Sequence, residues 1–127
     1  MNSSASERVT IVEVLELTKS FTEFTAASQA LARRLETEGI KALVTLQFYA
    51  NLESSELGAI LTFADRSQII QHINMMTAWP EFQEFVATVK PIDMKIFGKL
   101  SAEAEEWVRQ FNVLSKTFEN HVAGFVR

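Results

Sequence analysis

The spacing of hydrophobic positions changes several times along the chain, and each change marks an element. From Val9 to Leu17 the run VTIVEVLEL is rich in β-branched residues and ends at Thr18 and Ser20, which predicts a strand. Between Phe21 and Glu38 the apolar positions Phe21, Phe24, Ala27, Leu31 and Leu35 recur at intervals of three and four. That is the period of an amphipathic helix, and Gly39 suits the left-handed conformation that often ends one. Ala42 to Ala50 alternates, with Ala42, Val44, Leu46, Phe48 and Ala50 on one side and Leu43, Thr45, Gln47 and Tyr49 on the other. A polar turn, Asn51 to Ser55, then joins this second strand to a third over Leu57 to Ala64, as an antiparallel hairpin.

Asp65 is placed to cap a second helix that turns Ile69, Ile70, Ile73 and Met76 toward a core. Trp79-Pro80 should break it, because proline lacks an amide hydrogen and disfavours helical geometry in the residue before it. The continuation carries Phe82, Phe85, Val86 and Val89 at a new angle. Pro91 to Lys99 is expected to be a fourth strand with Ile92, Met94 and Ile96 on one face. After Ser101 an acidic first turn with Glu103, Glu105 and Glu106 opens a short helix whose apolar side is Trp107, Val108 and Phe111. The tail from Thr117 to Arg127 is apolar enough to dock as an edge strand. Two split βαβ units in series define an α+β, ferredoxin-like domain: a four-stranded antiparallel sheet with its main helices on one face.

Helices on one side leave the other face of that sheet bare. The first strand has Val9, Ile11, Leu15 and Leu17 on one face but Val12 and Val14 on the other, so it expects cover on both. Several hundred Å² of apolar sheet is more than a soluble monomer usually leaves in water, and a second copy is the simplest cover. The expectation is a homodimer joined through the sheet face, with room for a small apolar or aromatic ligand where polar side chains such as Thr45, Gln47 and Tyr49 interrupt the packing.

Composition narrows the function classes. A chain of 127 residues suits one domain, here Val9 to Arg127 after a polar, disordered start at Met1 to Arg8. Cysteine is absent, which removes disulfides, thiolate metal sites and thiol nucleophiles and fits a reducing, cytoplasmic setting. No stretch approaches the ~20 apolar residues of a membrane span. The net charge of −4 comes without a basic cluster, so nucleic acid is not expected as a partner. An RNA-recognition domain shares the topology, but the third strand LGAILTF lacks the aromatic and basic pattern that base stacking needs. Glycine-rich phosphate loops, a serine elbow and metal-ligand spacing between the two histidines are all missing, so neither metal nor cofactor is expected.

The order of elements resembles the antibiotic biosynthesis monooxygenase-like group of the dimeric α+β barrel superfamily, over Val9 to Arg127. Its most telling stretches here are the second helix with His72, the run from Trp79 through Phe85, IFGKLS at Ile96 to Ser101, and the terminal HVAGFVR from His121. The resemblance implies a homodimer with sheets face to face and a pocket between sheet and helices. It also implies, for several members, oxygenation without metal or organic cofactor, the substrate itself supplying electrons to dioxygen. A haem-degrading branch has an asparagine in the first strand, a tryptophan ending the third and a histidine on the second helix. Of these only His72 has a counterpart, with Glu13 in the first strand and Phe63 ending the third. The cofactor-free members use asparagine, tryptophan and tyrosine; Tyr49 and Asn51 have no adjacent tryptophan.

The candidate catalytic residues are therefore His72, at the margin of its helix's apolar stripe, and Tyr49, whose phenol can donate to a bound oxygen. Candidate ligand contacts are Trp79 as an aromatic wall, Gln47, His121 near the pocket mouth, and Glu13. Glu13 stands between Ile11 and Leu15 on one strand face and is costly to bury unless paired or protonated, with Lys95 of the neighbouring strand as a conceivable partner. Arg33-Arg34 is taken as a solvated helix face. The leading reading is a small-molecule protein, a cofactor-independent monooxygenase of an aromatic or quinol-like substrate. The alternative is a non-catalytic ligand-binding or regulatory dimer.

Overall fold

The computed structural model describes residues 7–110 and 114–127. Most of the expected polar start (1–6) and Phe111 lie outside the described residues. The elements run β1 (Val9–Leu17), α1 (Phe21–Glu38), β2 (Leu43–Asn51), β3 (Glu56–Phe63), a single 3₁₀ turn (Arg66–Gln68), α2 (Ile69–Met76), α3 (Pro80–Val86), β4 (Val89–Phe97), α4 (Ala102–Arg109) and β5 (Leu114–Phe118). Capping chemistry explains most of the boundaries. Ser20 and Ser101 accept hydrogen bonds from the amides of Glu23 and Ala104 at the starts of α1 and α4. Asp65 caps the 3₁₀ turn through Ser67, and Pro80 occupies the first turn of α3, where its missing amide costs nothing.

The strands form one sheet in the order β2-β3-β1-β4-β5. The first four are antiparallel, while β5 joins β4 in parallel, so the sheet is five-stranded and mixed rather than the expected four-stranded antiparallel one. The strand that adds the edge is Leu114–Phe118; the chain from 119 to 127 follows without regular structure. Apolar content therefore located the tail near an edge but not the strand's bounds. At the other edge, an irregularity between Leu43 and Thr45 shifts the register of β2. Leu43 packs with the core while Val44 is exposed, the reverse of a strict alternation.

All the helices cover one face of the sheet. Val9, Ile11 and Leu15 of β1, Leu57, Ala59 and Phe63 of β3, and Met94 and Ile96 of β4 are buried there. They meet Leu31 and Leu35 of α1, Ile73 and Met76 of α2, Phe85 of α3 and Val108 of α4 in two adjoining clusters that share Leu43 and Leu61. Arg34 is not a freely solvated side chain. Its guanidinium stacks 4.3 Å over the Trp79 ring and bonds Glu81 at 2.8 Å, clasping α1 to the start of α3. That hydrogen bond holds the Glu81 carboxyl below its ordinary range. No helix among the described residues is long and apolar enough to cross a membrane.

Two glycines are set by close approach. Gly39 ends α1 in an extended conformation, not the left-handed one, and is needed because a Cβ would stand 2.3 Å from the Leu35 carbonyl oxygen. Gly98 combines φ of +122° with a Cβ position 2.4 Å from the Arg8 carbonyl oxygen. Gly98→Ala is expected to cost about 2 kcal/mol, a fall of several degrees in Tm. Gly58→Ala, with open space around its Cβ, should shift stability by no more than about 0.5 kcal/mol in parallel thermal melts.

Candidate functional site

The two core clusters do not close completely on each other. Between them the helix face of the sheet encloses a cavity of about 320 Å³. Its walls are almost wholly hydrocarbon: Phe48 from β2, Phe82 and Phe85 from α3, Trp107 from α4, and aliphatic side chains of α1, β1, β3 and β4. Two titratable residues line it, Glu13 from β1 and His72 from α2.

Glu13 reaches the cavity through the two-residue period of β1, which turns it to the same side as Ile11 and Leu15. Its neighbours across the sheet are Ala59 on β3 and Met94 on β4. Ala59 is the smallest side chain in that row, and it leaves space where a larger residue would fill it. Glu13 is partly buried, and desolvation raises its carboxyl to about 7. No hydrogen bond or ion pair is formed by it among the described residues. Lys95 is not its partner. It pairs with Val12 in register, which sets it on the opposite face, where it binds Asp93 at 2.6 Å.

His72 is more deeply held than its place at the stripe's margin suggested. It is 2% exposed, with its ring edge-on to Phe63 at 5.1 Å, and neither ring nitrogen has a hydrogen-bond partner. Burial lowers its pKa to about 4, so the imidazole is neutral at pH 7. A buried polar group without a partner costs about 1–3 kcal/mol. His72 bears that cost at the wall of the cavity.

The other candidates stand elsewhere. Tyr49, 62% exposed, and Gln47 lie on the face of the sheet away from the helices, in register with Gly58 and Ile60. Trp79 is buried against Arg34 and does not line the cavity. His121 belongs to the exposed tail and borders a second, open concavity with Arg8, Arg66 and Phe118. Sequence reasoning took Phe85 and Trp107 as core and did not single out Phe48 or Ala59, although the small residue opposite a lone strand carboxylate was a signal once the pairing of β1 with β3 was known. Among the described residues no group of three His, Asp or Glu side chains is arranged to hold a metal ion.

Sequence comparison finds no matching family model and no matching curated protein. Solved structures do match. MupZ from Pseudomonas fluorescens is 13% identical, with a TM-score of 0.65 over 95% of both chains. SnoaB, a cofactor-independent oxygenase from Streptomyces nogalater, is 14% identical with a TM-score of 0.55 over 76% of this chain and 96% of its own. A candidate antibiotic biosynthesis monooxygenase from Caulobacter crescentus CB15 is 12% identical with a TM-score of 0.56 over 76% and 92%. The chain thus has the α+β fold of antibiotic biosynthesis monooxygenase-like proteins.

The two cavity groups oppose each other in their effect on stability. Glu13 favours its protonated form when folded, so its contribution is fully present below about 4.5 and lost as pH rises through 7. His72 favours its neutral form, so its contribution is present above 6.5 and lost as pH falls through about 4. Displacements of this size correspond to no more than about 3.5 kcal/mol each. Relative to wild type, Glu13→Gln should gain stability between pH 4.5 and 7, and His72→Phe should gain it between pH 6.5 and 4. Urea titrations across that range check both, and parallel pH curves for all three proteins would refute the assignment.

Proposed function

We propose that the cavity binds a small, neutral aromatic molecule and that the protein is an oxygenase of a phenolic or quinol-like substrate that works without a resident metal or organic cofactor. The observation that carries this reading is an apolar chamber with two titratable residues, Glu13 and His72, neither of them hydrogen-bonded to another described residue. Aromatic walls from Phe48, Phe82 and Phe85 suit a planar ring. Glu13, with a pKa near 7, is ionised in useful fraction at neutral pH and takes the substrate's hydroxyl proton. The electron-rich phenolate then passes electrons to dioxygen. One oxygen atom ends in the quinone product and the other leaves as water, so that phenol plus O₂ gives quinone plus H₂O. His72, neutral, holds a substrate oxygen by hydrogen bonding. The likeness in fold to SnoaB, described as a cofactor-independent oxygenase, supports the reaction class.

A second part of the proposal is that two copies pack through the open face of the sheet. Val12, Val14 and Ile60 are half-exposed there, beside Tyr49 and the stacked pair Phe97 and Phe118 at 5.2 Å. Such an area of apolar sheet matches a self-complementary interface better than open water. In this arrangement Gln47 and Tyr49 serve the contact between copies and not the reaction.

Oxygen-electrode measurements with a panel of naphthols, anthrols and hydroquinones should detect uptake by the purified protein, with Glu13→Gln at least 100-fold slower. Saturable binding of these compounds without uptake would retire the oxygenase in favour of a ligand-binding protein. Sedimentation should give a species of twice the chain mass for wild type, and Val14→Asp, which sets a charge on the open face, should give single chains. A wild-type monomer at micromolar concentration would end the dimer proposal.

A further inference from the structure

The same chamber has what a second, oxygen-independent activity requires. We propose that it moves a proton between two carbons of a neutral, enolisable ketone with an aromatic or polycyclic apolar body, Glu13 taking and returning the proton while His72 donates a hydrogen bond to the ketone oxygen. This inference rests on the reading of the cavity as a small-molecule site, and it names a substrate class for that site.

Three observations lead to it. Hydrocarbon walls around the chamber disfavour an ionic substrate, so the molecule that enters is neutral. Glu13 and His72 come from opposite sides, one from the sheet floor on β1 and the other from α2 in the helical roof, so a molecule filling the space lies between a carboxyl and an imidazole. Both nitrogens of His72 are buried and lack partners, so an N–H turned toward the chamber would meet a carbonyl oxygen without breaking an existing bond. A neutral imidazole is too weak an acid to give its proton away outright, but it stabilises an oxyanion by hydrogen bonding in an apolar site. Among the described residues no lining side chain is a serine, threonine or lysine, and the chain has no cysteine, so the described wall offers no such nucleophile for covalent attack.

The step balances without an electron acceptor. The C–H bond beside the carbonyl breaks and its proton goes to the Glu13 carboxylate. The electron pair left behind forms the enolate, whose oxygen faces the His72 N–H. The Glu13 carboxyl then returns the proton to the same carbon or, in an unsaturated ketone, to the conjugated carbon two positions along. Nothing is oxidised or reduced. Among the described residues, Glu13 and His72 are the only titratable groups lining the chamber, and no Lys, Arg or Asp lines it beside them, so the pH dependence of exchange is assigned to these two. The rate rises with pH as Glu13 ionises and levels off above about 7.

The test uses 2-tetralone in deuterated buffer under argon, with exchange of its carbon-bound protons followed by NMR and binding followed by quenching of the fluorescence of Trp107, which lines the cavity. Wild type should saturate with the ketone and exchange its protons at least 100-fold above the buffer rate. Glu13→Gln should lose at least 100-fold with binding retained, Glu13→Asp should recover part of the loss, and His72→Phe should lose about 10-fold or more, with His72→Gln, which keeps an N–H donor, in between. Saturable binding without exchange overturns the proposal, as does failure to bind, since the proposal commits to this ligand class. Exchange that the Glu13 variants leave unchanged overturns it too. The oxygenase reading fails separately: proton exchange under argon with no oxygen uptake from any phenol retires oxygenation and supports this activity. Oxygen uptake from phenols with no exchange does the reverse.

Discussion

Removing a carboxyl and an imidazole from water without pairing either is the constraint on which the rest of this molecule depends. Each opposes the fold by about 1–3 kcal/mol, against a small domain's net stability of commonly about 5–15 kcal/mol. The surrounding packing must supply that margin. It does so through a sheet face and helices that bury Phe63, Leu57, Ile96 and Val9 almost completely, around a cavity that both polar groups line. A leucine at position 13 and a phenylalanine at position 72 would satisfy packing better. Their absence from a core otherwise so apolar is the physical argument for a site.

How much of this was legible depended on whether the signal was local. The periods of β1, α1 and β3, the start of α4 after Ser101 and the break at Trp79-Pro80 depend on residues within one turn or one strand, and they appear where the pattern puts them. The same local reading recognised Glu13 as an anomaly inside an apolar strand face. What it missed needs pairing in three dimensions. The shift between Leu43 and Thr45 in β2 arises from its register with β3, and it exchanges which of Leu43 and Val44 turns inward. Lys95 seemed a partner for Glu13 because β1 and β4 are neighbours, but the register matches Lys95 with Val12 and sends it to the other face. An edge strand was expected in the tail, but the start of β5 at Leu114 and its parallel direction were not legible, because all five of its residues are exposed and give no alternation of burial.

Helical periodicity also understates burial at the edge of a stripe. His72 lies three residues after Ile69 and four before Met76, a position that reads as marginal when α2 is considered alone. Phe63 at the end of β3 rises against it, and α4 supplies a further wall, so the margin of one helix becomes the interior of the domain. Trp79 reverses the lesson. A large aromatic at a helix break looks like a pocket wall, but Arg34 has claimed it, and the two with Glu81 join α1 to α3. By doing so they hold Phe82 and Phe85 over the cavity, so Trp79 acts on the site only through the position of α3.

The two faces of β1 therefore answer to different demands. Its odd-numbered residues must pack and also leave a chamber, which the small Ala59 opposite Glu13 allows; its even-numbered residues, Thr10, Val12 and Val14, are half-buried and free to meet another surface. Because alternate residues of one strand share a backbone, a change that displaces the open face shifts the chamber's floor with it. Thr10 and Thr62 are joined by hydroxyls at 3.2 Å on that open face, directly behind Val9 and Phe63, whose side chains are almost wholly buried. Rigidity in the sheet is thus a condition of the proposed chemistry on its other side, which would need a carboxyl held within hydrogen-bond reach of a bound substrate atom, a tolerance of a few tenths of an ångström that a drifting strand would not meet.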